Sequence, residues 1–187
     1  MHKIQCQCGQ VQGHLSPAAR LTHLACHCRD CQTYAHAIGM ADTVLDAHGA
    51  TDVLTTLQQH VTITQGADKL ACNSLSDKGL LRWYASCCNT PLANTARDPK
   101  LSFVALMRDR VSLPLDGVKR VAVNTRHAKG RVKASASDGL FATLRIIGSV
   151  IGARANGSWQ RSPFFRQGSG QPVATPRVIK ADYPAGR

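Results

Sequence analysis

The chain has 187 residues, 43% of them hydrophobic, which is room for one ordinary domain plus an appendage and enough apolar mass for a real core. No apolar run approaches the roughly 20 residues that span a bilayer, and the start, Met1-His2-Lys3-Ile4-Gln5-Cys6, lacks the hydrophobic stretch of a secretory signal. The expectation is a cytoplasmic chain without a transmembrane segment, in which thiols stay reduced. The formal net charge is +12, and it is unevenly placed. Residues 1–100 carry 8 Lys/Arg against 7 Asp, whereas residues 101–187 carry 15 against 4, and the chain holds no glutamate.

In chain order, Ile4 to Leu15 reads as a hairpin bent around Gly9, and Leu21–Cys26 as the next strand. A turn and a short helix near Asp30–Ile38 follow. Further strands are predicted at Val53–Leu57, Val61–Thr64, Leu70–Leu75, Leu80–Ala85 and Leu101–Leu106, separated by Gly, Asp, Asn or Pro. Short strands at this spacing predict a mainly β module, sandwich-like or barrel-like, over residues 1–110.

From about Val111 the character changes, and residues 111–187 read as a basic extension packing partly on the β domain. Gly117 opens a basic connection without periodicity that runs to about Lys133. Leu140, Phe141, Leu144, Ile147 and Ile151 then recur at helical spacing, with Ser137 or Asp138 as the cap and Gly157 beyond the end. Such a stripe more often packs on its parent domain than on a membrane or partner. The last thirty residues, with Pro163, Pro172, Pro176 and Pro184, read as extended, and Phe164-Phe165 as an anchor into the core.

Seven of the eight cysteines fall in tight sets: Cys6 and Cys8; Cys26, Cys28 and Cys31; Cys87 and Cys88. Neighbours two apart on a strand rarely bridge each other, because the geometry of an S–S bond is demanding, whereas thiolates converge on Zn2+ without difficulty. Cys26-His27-Cys28-Arg29-Asp30-Cys31 brings three thiolates within reach of one zinc. Either the fourth position stays open, as in catalytic sites, or a distant cysteine fills it; the spacing leaves both readings standing. Cys6-Gln7-Cys8-Gly9 is a second half-site. Together with Cys87-Cys88 it would make a closed four-thiolate clip whose binding energy is folding energy. Cys72, alone, reads as a buried small hydrophobe.

The ordered motifs resemble those of the glutathione-dependent formaldehyde-activating enzymes and the related centromere protein V. That pattern is C-x-C-G near the N-terminus, C-H-C-x-x-C about twenty residues on, and a later F-C-x-x-C-G-T/S-P-L. The first two stand whole here; the third is altered to Tyr84-Ala85-Ser86-Cys87-Cys88-Asn89-Thr90-Pro91-Leu92. The resemblance covers roughly residues 1–105. It implies a small zinc-stabilised β-sandwich-like fold with two zinc sites and a carbon–sulfur lyase-like activity on glutathione or a similar thiol and its aldehyde adduct. It further implies that Cys26, Cys28 and Cys31 hold the substrate-side zinc and that Cys6, Cys8 and Cys88 are structural ligands. Ala85 and Asn89 replace the family's cysteine and glycine. Cys87 is the substitute ligand, provided the backbone bends, since adjacent side chains on a strand face opposite ways; alternatively it turns to the other site and closes it.

Weaker candidates remain. His23, His27 and His36 lie near the triple-cysteine set. Arg82 and Trp83 can line a pocket, Arg82 meeting a carboxylate of a glutathione-like ligand through its planar fork; a surface ion pair and a core aromatic are their plainer roles. Against the lyase-like reading stands a non-enzymatic zinc module whose basic residues 117–187 meet nucleic acid, another polyanion or a protein partner.

Overall fold

The computed structural model describes residues 1–179; Pro184 and the rest of 180–187, the end of the basic extension, lie outside the described residues. The chain is mainly β, in two sheets. Strands β1 (His2–Gln5) and β2 (Gln12–Leu15) form the N-terminal hairpin. Gly9 has φ of 78° in its turn, a conformation that costs glycine nothing. Next come β3 (Thr22–Cys26), helices α1 (Arg29–Ala37) and α2 (Ala41–Val44), then β4 (Thr51–Leu57) and β5 (Val61–Gln65). The central meander is β6 (Leu70–Ser74), β7 (Leu81–Ala85), β8 (Thr90–Thr95) and β9 (Phe103–Met107). Beyond it lie β10 (Arg120–Val123), α3 (Ala136–Ala155) and β11 (Arg177–Val178).

The small sheet runs β1-β2-β5 and the large one β10-β3-β4-β9-β8-β7-β6-β11. Pairing is antiparallel except at the two edges, where β10 lies parallel to β3 and β11 parallel to β6. Ile4, Leu15 and Val61 of the small sheet share one core cluster with Leu54, Trp83 and Leu106 of the large one. Phe164 and Phe165 complete that cluster, with ring centroids 5.2 and 6.3 Å from Trp83. The Phe164-Phe165 segment is thereby fixed to the centre of the β domain.

Three predicted features differ from the structure, among them the cap of the long helix, expected at Ser137 or Asp138. The basic connection contains a strand: Arg120–Val123 pairs with β3, and Arg120 bridges Asp52 at 2.9 Å and Asp46 at 2.8 Å. The helical stripe does not pack on the parent domain. Helix α3 meets the body through Ala142 and Ala153, which are buried, and through the half-buried Ile146 beside Thr22 and Thr55, while Leu140, Phe141, Leu144, Ile147 and Ile151 face outward. Its cap is Ser135, whose hydroxyl accepts from the Asp138 N–H, and Gly157 lies just past its end in the left-handed region.

Candidate metal centre

All eight cysteines are free, and seven gather in two sets. In the first, Cys6 ends the hairpin's first arm, Cys8 sits in its turn, and Cys87 and Cys88 occupy the turn between β7 and β8. That turn supplies the bend that adjacent cysteines need: Asn89 adopts φ of 54°, a conformation open to asparagine. The sulfurs of Cys6 and Cys8 are 3.6 Å apart, Cys8 and Cys87 3.4 Å, Cys6 and Cys87 3.9 Å, and Cys87 and Cys88 3.8 Å. A disulfide is about 2.05 Å long. Four sulfurs at the corners of a tetrahedron with ~2.3 Å arms stand about 3.8 Å apart. The observed spacing is one that could hold a metal ion, and no two sulfurs stand at bonding distance.

Polar groups already point at these sulfurs. The Val11 N–H donates to Cys6 Sγ at 3.2 Å, and the Thr90 hydroxyl lies 3.0 Å from Cys88 Sγ. Burial opposes ionisation of Cys88, but the hydrogen bonds from Thr90 and Cys8 outweigh it and bring the thiol down to about 6. The Gln7 N–H donates to the Thr90 hydroxyl at 3.2 Å, lacing the hairpin turn to β8.

The second set is Cys26 at the end of β3 with Cys28 and Cys31 at the start of α1. Cys28 is the N-cap, and its sulfur accepts from the Cys31 N–H at 3.4 Å, so the first turn of the helix directs two sulfurs toward Cys26. The helix terminus also favours negative charge there. Hydrogen bonds from Cys28 and Cys31 hold the Cys26 thiol far below its ordinary value, against burial, while Cys31, sharing one proton network and fully enclosed, is pushed up.

Two distant side chains close around this set. Asn124, at the end of β10 with φ of 56°, donates to Cys26 Sγ at 3.4 Å. Arg82 of β7 points Nη1 at Cys31 Sγ, 3.9 Å away, and at Asn94 Oδ1, 3.4 Å away, with its guanidinium 4.9 Å from the centre of the Tyr34 ring. Arg82 is only 2% exposed, and among the described residues it has no carboxylate partner; the surface ion pair expected of it is not made. Trp83 points to the opposite face of β7, enclosed in the core with Nε1 donating to Thr95 at 2.9 Å, away from the sulfurs.

The histidines stay apart. The His27 ring bonds the His48 carbonyl, His23 bonds Asp52, and His36 is exposed. Among the described residues no histidine or carboxylate joins either sulfur set. Cys72 is buried in the core, where desolvation pushes its thiol up to about 12. Sequence reasoning missed Asn124, Asn94 and Tyr34; the one local signal was an asparagine ending the apolar run Val121-Ala122-Val123, a residue that tolerates the left-handed turn.

A model of the Family of unknown function (DUF6151) matches residues 1–175, nearly all of the chain. The chain belongs to this family. No curated protein matches it. Among solved structures it is similar to a Rhodobacter sphaeroides protein from a structural-genomics programme, 16% identical over 65% of this chain and 99% of that one, with a TM-score of 0.43. The two sulfur sets both fall inside the span that the family model covers.

Proposed function

We propose that this chain is a two-zinc thiolate protein of the small-thiol carbon–sulfur lyase kind, with one closed site and one site that receives a ligand. Cys6, Cys8, Cys87 and Cys88 would hold a structural zinc that ties the hairpin to the β7–β8 turn. Cys26, Cys28 and Cys31 would hold a second zinc. The spacing of sulfurs near the edge of a ~2.3 Å-armed tetrahedron favours zinc over the harder, oxygen-loving cations. The choice of substrate class, glutathione or a similar thiol and its aldehyde adduct, comes from the motif resemblance.

One observation carries the reading: three sulfurs converge at the second set, and among the described residues no fourth histidine, cysteine or carboxylate accompanies them. When bound there, zinc supplies Lewis acidity that keeps an added thiol ionised. The chain's own groups do the rest. Asn124 and Arg82 each donate to one of the three sulfurs, which fixes their orientation as outer partners of metal ligands do. The guanidinium also balances the single negative charge that three thiolates leave on a divalent cation.

The test is metal analysis of anaerobically purified protein followed by X-ray absorption. The expected result is two zincs per chain averaging about 3.5 sulfurs each, rising to 4 when glutathione is added, with heat of binding lost in Cys28→Ser. Four sulfurs per zinc without any thiol, or no heat with the zinc-loaded protein, overturns the lyase-like reading.

A further inference from the structure

Helix α3 is an anomaly for a water-exposed element. At 100° per residue its four aliphatic residues Leu140, Leu144, Ile147 and Ile151 fall within an arc of about 60°, with Phe141 beside them. Ala142 and Ala153, which hold the helix to the body, lie on the opposite side. The outward residues are 59%, 53%, 48% and 62% exposed, and Phe141 is 69% exposed. Gly148 and Gly152 add no side chain that would break the strip. Arg154, exposed, borders the strip on one side, while Arg145, also exposed, lies about 100° round from Leu144 toward the body, lining a cleft with Thr22, Thr55 and His60. The helix's one acidic residue, Asp138, is tied to Lys119 at 2.6 Å and leaves no negative charge on that face.

We infer that α3 lies on an anionic membrane surface, with its strip among the acyl chains and Arg154 at headgroup level. Three observations select this occupant. The half of the chain that contains α3 carries 15 Lys/Arg against 4 Asp, the complement of a negatively charged leaflet. A second copy fits poorly: the seam is about 12 residues or ~18 Å long, less than the three or four heptads of a stable coiled coil, and each helix would bring two arginines and no free acid to the other. Nucleic acid would use the charge but gain nothing from five apolar side chains. By length and composition alone α3 could also cross a bilayer. Crossing would place Arg145 near mid-span and strip Ala142 and Ala153 from the body, so the helix rests in the interface and does not pass through it.

The test uses the full-length, metal-loaded protein and vesicles of phosphatidylcholine alone or with roughly a third phosphatidylserine, read by co-sedimentation. Binding to the anionic vesicles should exceed binding to the neutral ones by at least tenfold. L144D/I147D changes exposed positions only, so its circular dichroism and zinc content should match wild type while its vesicle binding falls at least tenfold. R154S should lose about fivefold on anionic vesicles, since one cation contributes about 1 kcal/mol near such a surface, and change little on neutral ones. The inference is overturned by absence of vesicle binding. It is equally overturned by binding that L144D/I147D leaves intact, the mark of a purely electrostatic polyanion contact. A dimer in sedimentation equilibrium that L144D/I147D dissolves, with no vesicle binding, assigns the strip to a second copy instead.

Discussion

Replacing Arg82 with methionine tests the electrostatic logic of the second sulfur set. The guanidinium is 2% exposed, sits 3.9 Å from Cys31 Sγ and has no carboxylate partner among the described residues. At that distance a full unit charge attracts with about 4 kcal/mol at an effective dielectric of ~20. Three thiolates around a divalent cation leave one net negative charge spread over three sulfurs, so about a third of that, roughly 1.4 kcal/mol, is the share of Cys31. Loss of the cation should then weaken metal binding at Cys26, Cys28 and Cys31 about tenfold, in the range typical of outer partners to metal ligands. Methionine keeps the apolar bulk beneath Tyr34 and leaves no buried charge. The assay is anaerobic competition against a chromogenic chelator, in which the two sulfur sets titrate separately; only the Cys26 set should shift. Equal weakening of both sets, or unchanged affinity with a stability loss of several kcal/mol, would refute the argument and make Arg82 a strut between Asn94 and Tyr34.

Cys6→Ser should weaken the first sulfur set and cost at least ~3 kcal/mol, lowering the thermal midpoint by roughly 6–12 °C at 2–4 °C per kcal/mol, and chelator should do the same to wild type by scanning fluorimetry. Phe164→Ala empties a site 1% exposed against Trp83 and should cost about 3–5 kcal/mol in a urea titration. Partial burial opposes ionisation of Asp46, yet the Arg120 fork and the N–H groups of Ala50 and His48 hold its carboxyl below the ordinary value. A depressed folded value means that the contribution is intact above the ordinary aspartate value of about 3.9 and is lost as pH falls through the folded one. Asp46→Asn should therefore be less stable than wild type near pH 6, by no more than about 1 kcal/mol for so open a pair, and the two urea midpoints should converge toward pH 3.

The strands that sequence could find are those whose faces differ. Thr51–Leu57 and Phe103–Met107 are short β-branched or apolar runs bounded by turn residues, and Gly9 marks the hairpin turn, so β4, β9 and the β1–β2 pair were readable from local pattern. Thr90–Thr95 was not, because every residue of β8 is buried and Pro91 argues against a central strand; the register shift between Trp83 and Tyr84 is the irregularity opposite it. The short α2 carries no periodic signal. Arg120–Val123 becomes a strand only because β3, about a hundred residues earlier, offers it an edge, and local sequence holds no record of that. The stripe on α3 was legible as a face but not as an outward one. Its contact with the body is made by Ala142, Ala153 and the half-buried Ile146, which stand out less in a hydrophobic pattern than the five outward residues. Both sulfur sets were visible as residues, whereas Arg82 was read toward the surface because Cys31, Asn94 and Tyr34, which enclose it, come from three separate stretches.

The two sulfur sets are connected through β7. Arg82, which touches the second set, and Cys87, which belongs to the first, are five residues apart, about 17 Å if the chain stays extended. Strands of four or five residues in a three-stranded sheet are marginal alone, and the hairpin reaches β7 and β8 by way of Cys6, Cys8 and the Gln7–Thr90 hydrogen bond. A metal in the first set would therefore fix the end of the strand whose other end carries the buried guanidinium. Three sulfurs alone do not define a tetrahedron, so the orientation of the second set depends on the hydrogen bonds that Arg82 and Asn124 give it. The nearby histidines are bonded elsewhere, His27 to the His48 carbonyl and His23 to Asp52. One set thus gathers four sulfurs and the other three, and it is on this difference that the proposed thiol-binding site rests.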